Sequence, residues 1–185
     1  MLNLKEIDKS WTLFLDRDGV INIEKYEDYI YNYDEFVFYE GAKDALRIFT
    51  EKFARLIVAT NQRGVGRGLM TEDALEEIHQ KMMLDVSIAG GKIEKCYYCT
   101  STDNAAGCRK PNPEMAFEAK ADFPDIDFSK SVMIGNNLSD MNFGRNAGMH
   151  TVFLTTTHPD EGHNQPSIDL VFPSLHDFAK ALQSS

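Results

Sequence analysis

Residues 11–18 read Trp-Thr-Leu-Phe-Leu-Asp-Arg-Asp, a short apolar run that ends in two carboxylates. The run Trp11–Leu15 predicts a buried β-strand, because a few consecutive apolar residues bounded by polar ones are typical of strands covered on both faces. Residues two apart on an extended chain point the same way, so Asp16 and Asp18 can both face one pocket. Such close carboxylates repel unless a cation or a shared proton lies between them. The alternative is an ordinary turn that uses the permissive backbone of Gly19.

Outward from this stretch, predicted strands and helices alternate along the chain. The further predicted strands are Arg55–Thr60, Lys92–Tyr98, Ser131–Gly135, Thr151–Leu154 and Ile168–Phe172. The predicted helices are Gly41–Phe53, Thr71–Gly90, Pro113–Ala121, Leu138–Ala147 and a last helix that starts at Ser174. This alternation predicts an α/β fold, a three-layer Rossmann-like parallel sheet with helices on both faces. Ligands of such folds bind beyond the carboxyl ends of the strands.

Composition limits the classes of function. The 185 residues include 19 basic and 29 acidic side chains, a net charge of −10, and 43% are hydrophobic. We expect one domain over residues 1–185, and no nucleic-acid partner, because phosphate backbones attract basic surfaces. No apolar stretch approaches the roughly 20 residues of a membrane span, and Met1–Ser10 lacks the apolar segment of a signal peptide. Three cysteines do not suggest a secreted disulfide scaffold. We expect a monomeric cytoplasmic protein, with no membrane partner.

Two further polar segments are candidates for binding phosphate. Thr60 and Asn61 follow the second predicted strand and offer hydroxyl and amide groups, although a flexible Gly-rich turn is the alternative. Arg109 and Lys110 precede a predicted helix, whose N-terminus adds positive potential that suits an anion. A solvated basic turn is the alternative for that pair.

A fourth segment, Gly135-Asn136-Asn137-Leu138-Ser139-Asp140, follows the predicted strand Ser131–Gly135. Asn136 and Asp140 are four residues apart, which places them on one face of the helix that begins there. The alternative is that the asparagines only cap this helix.

Four stretches in this order resemble the haloacid dehalogenase (HAD) superfamily of phosphotransferases. They are FLDRDGVIN (14–22), ATNQRGVGRG (59–68), CRKPNPEM (108–115) and IGNNLSDMNFGRNAGM (134–149). They are most similar to the small-capped group that contains D,D-heptose 1,7-bisphosphate phosphatase and histidinol-phosphate phosphatase. The resemblance covers about residues 11–180, and it implies a HAD-like fold with a minimal cap that leaves the site open.

The resemblance implies Mg²⁺-dependent hydrolysis of a phosphomonoester through an aspartyl-phosphate. Asp16 would be the nucleophile, and Asp18 the general acid for the leaving alcohol and then the base that activates water. Thr60 and Lys110 would hold the transferring phosphoryl group. The leading substrate is a sugar phosphate such as D-glycero-D-manno-heptose 1,7-bisphosphate, and a histidinol phosphate is the alternative.

The resemblance also implies a substrate-binding pair and a metal site. Asn61 and Arg109 would bind the small phosphorylated metabolite, and Asp16, the backbone carbonyl of Asp18 and the side chain of Asn136 would hold Mg²⁺. The family has Asp where this chain has Asn136, so one ligand charge is lost. The Asn136→Asp change is therefore expected to tighten metal binding and raise turnover. The rival interpretation is a catalytically weakened HAD protein that binds a phosphoryl ligand or has a regulatory role.

The heptose-phosphatase group often carries a zinc loop, Cys-x-His followed by Cys-x-Cys, just before Arg-Lys-Pro. Cys96 and Cys108 match its first and last positions, and Cys99 offers a third sulfur ligand. A fourth ligand would have to come from elsewhere, such as His158 or His163, and no spacing supports either. Structural zinc needs four ligands, so we expect reduced, partly buried thiols and no zinc.

A short insertion, residues 26–39, carries five tyrosines. It is expected to form either an aromatic flap over the site or a hairpin packed by those rings.

Overall fold

The computed structural model describes residues 2–160 and 165–185. Its strands are β1 (Thr12–Leu15), β2 (Arg55–Asn61), β3 (Lys95–Cys99), β4 (Ser131–Gly135), β5 (His150–Leu154) and β6 (Leu170–Phe172). Its helices are α1 (Ala42–Lys52), the single turn α2 (Arg63–Gly66), α3 (Glu72–Ile88), α4 (Glu114–Asp122), α5 (Leu138–Ala147) and α6 (Leu175–Gln183). The strands form one parallel sheet in the order β3-β2-β1-β4-β5-β6. The predicted α/β fold is confirmed.

Strand β1 lies in the middle of the sheet, and all four of its residues are buried. It pairs with β2 on one side and β4 on the other, so that Leu13 is in register with Leu56 and Val132. Parallel strands covered on both faces read as continuous apolar runs rather than as alternating ones. This is why the first apolar run of the sequence is a central strand, with its carboxyl end directed at the site.

Two hydrophobic cores cover the two faces of the sheet. Leu13 and Leu15 of β1 pack in the core that holds the buried faces of α1, α3 and α6. Phe14 points to the other face, where its core includes Met115 of α4 and Phe143 of α5. Successive side chains of a strand point to opposite faces, so a single strand anchors both layers. The predicted three layers are therefore present.

The starts of three helices are capped by side chains. Thr71 accepts a hydrogen bond from the Ala74 amide before α3, and Ser174 accepts one from the Asp177 amide before α6. Asn137 caps α5 in a capping box, in which Asp140 Oδ2 accepts from the Asn137 amide at 3.1 Å. The last cap matters for the site, because it fixes where the carboxylate of Asp140 can point.

The tyrosine-rich segment is mostly loop. Its two ends pair briefly, with the Ile23 amide donating to the Val37 carbonyl at 2.8 Å. One short 3₁₀ turn, Tyr33–Glu35, lies between them, and the hydroxyl of Tyr33 donates to Asp85 of α3. The rings of the segment pack as three pairs, Tyr29 with Tyr31, Tyr33 with Phe36 and Phe36 with Phe38, whereas Tyr26 is 89% exposed. The expected ring packing is therefore present, but the backbone forms a loop closed by an isolated bridge rather than two paired strands. In the described residues, no helix is long and apolar enough to cross a membrane.

Candidate active site

A cavity of about 260 Å³ opens at the carboxyl ends of β1, β2 and β4. All seven predicted site residues line it: Asp16, Asp18, Thr60, Asn61, Arg109, Lys110 and Asn136. They come from four segments that are far apart in the sequence and meet because parallel strands end at the same edge of the sheet. Glu24, Asn137, Ser139 and Asp140 complete the lining.

Lys110 lies between two carboxylates at the centre of the cavity. Its Nζ atom is 2.9 Å from Asp16 Oδ1 and 2.6 Å from Asp140 Oδ1, and it also donates to the carbonyl of Ala59 at 2.9 Å. The side chains of Lys110 and Asp140 are each only 1% exposed. A buried cation with three oxygen partners is held rigidly, because leaving any of these charges unpaired costs several kcal/mol, roughly 3–5 in other proteins.

The charges around Asp16 are not balanced. Burial and the neighbouring carboxylate of Asp140 raise the pKa of Asp16 to about 6, although Lys110 opposes the shift. Burial lowers the pKa of Lys110, but Asp140 and Asp16 outweigh it and hold that pKa above its ordinary value. Two carboxylates thus share one ammonium group, so the cavity carries an excess of negative charge that favours a cation.

Asp18 is held by several donors at once. Arg17 reaches both of its carboxylate oxygens, Asn22 Nδ2 donates to Oδ1 at 2.9 Å, and Gln62 Nε2 donates to Oδ2 at 2.9 Å. Burial raises the pKa of Asp18, but Arg17 and these hydrogen bonds bring it below its ordinary value. Asp18 is therefore a carboxylate in this arrangement, the form that accepts a proton.

Sequence reasoning missed Arg17 and Gln62, and it assigned no role to His79. Arg17 is completely buried, and its Nη1 lies 3.2 Å from His79 Nε2. Burial and Arg17 lower the pKa of His79 to about 3, so His79 is a neutral acceptor. One signal was available for His79, which follows Ile78 on the apolar face of α3. No sequence signal shows that Arg17, between two aspartates, is buried.

Asn136 is buried against the turn that follows β1. Its Nδ2 atom donates to Thr157 Oγ1 at 2.7 Å. A Cβ atom on Gly19 would lie 2.0 Å from the same Nδ2, and Gly19 has a φ of +80°. This position therefore requires glycine both for its left-handed backbone and for the close approach of Asn136.

The side chain of Asn61 forms hydrogen bonds with the backbone of Lys110. Its Oδ1 accepts from the Lys110 amide at 3.0 Å, and its Nδ2 donates to the Lys110 carbonyl at 3.3 Å. Both ends of the Asn61 amide thus hold the Lys110 loop, while substrate binding by Asn61 stays a prediction. Thr60 Oγ1 accepts from Gln62 Nε2 at 3.0 Å and lines the cavity.

Arg109 stands at the edge of the cavity near two other arginines. Burial and the positive charges of Arg63 and Arg67 lower the pKa of Arg109. Its Nη1 atom is buried and has no hydrogen-bond partner within residues 2–160 and 165–185. An unpaired guanidinium nitrogen beside other cations favours an anionic ligand, which is consistent with the predicted binding role.

The expectation of reduced thiols is wrong for two of the three cysteines. Cys99 and Cys108 form a disulfide that joins the end of β3 to the residue before Arg109. Cys108 therefore pairs with Cys99 and not with Cys96, which is free and lies against Met83. Within the described part of the chain, no three His, Cys, Asp or Glu side chains are grouped to hold a metal, and His163 lies outside that part.

Comparisons with known proteins agree on one group. A family model described as HAD-hydrolase-like matches residues 107–178. The chain is 39% identical over 154 residues to the D-glycero-α-D-manno-heptose-1,7-bisphosphate 7-phosphatase of Campylobacter jejuni, covering 83% of this chain and 87% of that protein. It is 34% identical over 174 residues to the β-anomer 7-phosphatase of Neisseria meningitidis, covering 91% and 92%.

One solved structure adds a bound metal and anion to this comparison. The D,D-heptose 1,7-bisphosphate phosphatase of B. bronchiseptica, complexed with magnesium and phosphate, superposes with a TM-score of 0.84 at 27% identity. The alignment covers 94% of this chain and 98% of that one.

Proposed function

The chain belongs to the haloacid dehalogenase superfamily, in the group of heptose 1,7-bisphosphate phosphatases, and we propose that it removes the 7-phosphate of D-glycero-D-manno-heptose 1,7-bisphosphate. As a HAD phosphatase it acts on a sugar phosphate. The observation that carries the proposal is the placement of Lys110, whose Nζ is 2.9 Å from Asp16 in the cavity at the end of β1. This puts a positive charge beside the carboxylate that would attack phosphorus.

In the first step, a carboxylate oxygen of Asp16 attacks the phosphorus atom, and the bond from phosphorus to the sugar oxygen breaks. The leaving oxygen takes a proton from Asp18. Its lowered pKa makes Asp18 a carboxylate before the substrate binds, so it would have to take up this proton on binding, which the negative charge of the nearby phosphate favours. The product is an acyl phosphate on Asp16 and the free sugar hydroxyl. Dividing the hydrolysis in this way replaces one difficult displacement by two easier ones.

In the second step, Asp18 accepts a proton from a water molecule that attacks the phosphorus of the acyl phosphate. Inorganic phosphate leaves, and Asp16 returns to its carboxylate form. Lys110 and the hydroxyl of Thr60 would hold the phosphoryl oxygens throughout, since both line the cavity beside Asp16. Arg109 would bind the rest of the anionic substrate at the rim.

The donor set of the cavity suits Mg²⁺. Oxygen ligands from Asp16, the backbone of Asp18 and the side-chain carbonyl of Asn136 would hold the ion, and hard cations prefer such ligands. Burial and, after it, the neighbouring Asp140 carboxylate raise the pKa of Asp16, and a bound cation would balance that second carboxylate, which supports this assignment. When bound, Mg²⁺ would neutralise charge on the phosphoryl group.

The test is phosphate release across a series of Mg²⁺ concentrations. The substrates are both anomers of the heptose bisphosphate, fructose 1,6-bisphosphate, histidinol phosphate and an aryl phosphate, with Asp16→Asn as the blank. We expect the heptose bisphosphate to give the highest kcat/KM, with no release by the blank. A different best substrate would overturn the specificity, and no release at any Mg²⁺ concentration would favour the ligand-binding interpretation.

The intermediate has its own test. Borohydride reduces an acyl phosphate on aspartate to homoserine, which mass spectrometry of the peptide containing Asp16 would detect. Quenching during turnover should place this change on Asp16 alone. Its absence under conditions where phosphate is released would argue against the covalent route.

A further inference from the structure

The side chain of Asn136 is oriented by its surroundings. It is 3% exposed, and its Nδ2 donates to Thr157 Oγ1. An amide nitrogen does not ligate Mg²⁺, so only the carbonyl oxygen of this side chain can serve a cation. Whatever holds the Nδ2 end therefore decides whether that oxygen is available.

A carboxylate lies at the Nδ2 end. Glu24 lines one cavity with Asn136 and a second cavity with Thr157. Burial raises the pKa of Glu24, and the Thr157 hydroxyl and the Asn136 amide oppose that rise, as expected when both groups face its carboxylate. The Thr157 hydroxyl accepts from Asn136, so its own proton is free for Glu24. Glu24 is half-buried and lines the same cavity as Asp16 and Asp18.

Glu24 also affects the net charge of the cavity. Lys110 is shared by Asp16 and Asp140, and Arg17 is paired with Asp18. These groups together leave one negative charge, and Glu24 adds another at the side of the cavity where Asn136 is neutral. A divalent cation is held more tightly where the surrounding charge is more negative.

We propose that Glu24 is the positioning residue of the metal site in this chain. Through Thr157 it turns the carbonyl oxygen of Asn136 toward the cation, and it contributes the negative charge that an aspartate at position 136 would carry. The inference rests on the proposed function, from which the Mg²⁺ is taken.

The proposal reverses one expectation from the sequence. An aspartate at position 136 would place a second carboxylate in the cavity that Glu24 lines, and like charges so close together repel. The Asn136→Asp change alone should therefore bring little gain in metal affinity. The gain should come only when Glu24 is neutralised as well.

The experiment is calorimetric titration of Mg²⁺ into the metal-free, full-length protein without substrate. The variants are Glu24→Gln, Asn136→Asp and the double variant. We expect Glu24→Gln to weaken Mg²⁺ binding about tenfold or more in the natural chain, since loss of a residue that orients a ligand commonly costs 10–100-fold. In the Asn136→Asp background, the same change should tighten binding.

Two controls accompany this titration. Thr157→Val keeps the shape and charge but removes the hydroxyl, and it should weaken Mg²⁺ binding severalfold even if a Glu24 variant folds poorly. Glu27→Gln removes a charge from the same loop without touching the cavity, and it should leave the affinity within twofold.

Two results would overturn the inference. One is a Glu24→Gln protein that binds Mg²⁺ within twofold of the natural chain. The other is a Glu24→Gln effect of the same sign and size in both backgrounds. In either case phosphate release by the natural chain would leave the proposed function intact. Absence of both Mg²⁺ binding and phosphate release in the natural chain would overturn both proposals.

Discussion

Arg17 holds both carboxylate oxygens of Asp18, with its Nη2 atom 2.9 Å from each. A third contact joins Arg17 Nε to Asp18 Oδ1 at 3.3 Å, so the planar guanidinium is used as a fork. From the sequence alone, Arg17 would be assigned to a charged turn, because it stands between two aspartates. It is instead the largest fully buried side chain of the described residues. The acid–base residue of the proposed mechanism is positioned by the residue that precedes it.

We predict that Arg17→Lys lowers the free energy of unfolding by about 2–3 kcal/mol, because a lysine keeps the charge but loses the two-point contact in a buried site. Urea denaturation would measure the loss, and kcat should fall with it as Asp18 loses its orientation. Arg47→Lys is the matched control, since Arg47 pairs with Asp44 and Glu51 on an exposed helix face. Equal stability of the two variants would contradict the prediction.

Gly19 and Gly68 both have left-handed backbones, so substituting each by alanine distinguishes the cost of backbone strain from the cost of a steric clash. Gly19→Ala would place a methyl group 2.0 Å from Asn136 Nδ2, whereas a methyl group on Gly68, at φ +69°, would meet no atom within 4 Å. Both changes should cost about 1–2 kcal/mol of stability through the backbone alone. Only Gly19→Ala should also displace Asn136 and weaken Mg²⁺ binding, as titration calorimetry would show. Equal Mg²⁺ affinities for both variants would mean that Asn136 does not serve the metal.

Asp169 should make stability depend on pH. Its Oδ1 is 2.8 Å from Arg145 Nη2, and its Oδ2 accepts from the Thr151 amide at 3.0 Å. Burial raises the pKa of Asp169, but these contacts outweigh it and hold the pKa below the ordinary value. A carboxyl group with a lowered pKa stabilises the fold above the unfolded-state pKa of about 4, and this contribution is lost as pH falls through the folded-state value.

We therefore predict that Asp169→Asn destabilises the protein by about 2 kcal/mol at pH 7, the size of charge-assisted hydrogen bonds in a partly buried site. The difference in free energy of unfolding between the variant and the natural chain should disappear as the pH falls below about 4. Chemical denaturation at several pH values would measure this difference. Asp125→Asn provides the control. Asp125 pairs with Arg55 on the surface, so loss of this ion pair should not measurably change the free energy of unfolding.

The disulfide should contribute to stability through the unfolded chain. It closes a loop of sequence separation 9, for which loop-closure entropy gives about 2.5 kcal/mol. The double change Cys99→Ser with Cys108→Ser should lower the free energy of unfolding by about that amount, and a reductant should lower the melting temperature of the natural chain but not of the variant. A reductant that leaves the melting temperature of the natural chain unchanged would show that the bond is absent in solution.

Cys96 serves as an internal control for this experiment. Burial raises the pKa of its thiol to about 12, so at pH 8 almost none of it is thiolate. Iodoacetamide at that pH should label the half-buried Cys108 after reduction and label Cys96 much more slowly in the folded protein, because the Cys96 thiol stays protonated. Labelling of Cys96 at a rate comparable to that of Cys108 would contradict the raised pKa.

The regular elements were predictable, because their patterns are local. The predicted strand Ser131–Gly135 and helix Leu138–Ala147 match β4 and α5 to the residue, and the other predicted elements differ by a few residues at their ends. That the seven candidate residues gather around one cavity was also predictable, since each lies at the end of a strand, just beyond one or shortly before a helix. Monomeric state and location in the cell stay predictions.

The sequence by itself determined the α/β order, the buried strand predicted over Trp11–Leu15 and the gathering of Asp16, Thr60 and Asn136 at one edge of the sheet, because hydrophobic periodicity and strand-end position are properties of neighbouring residues. Only the tertiary structure decided that Arg17 is buried against Asp18, that Cys108 pairs with Cys99, and that Glu24 lies beside Asn136. The burial and partner of a polar side chain depend on chain segments that packing brings together. The spacing of residues within one segment therefore does not indicate which polar side chains are buried or what they contact.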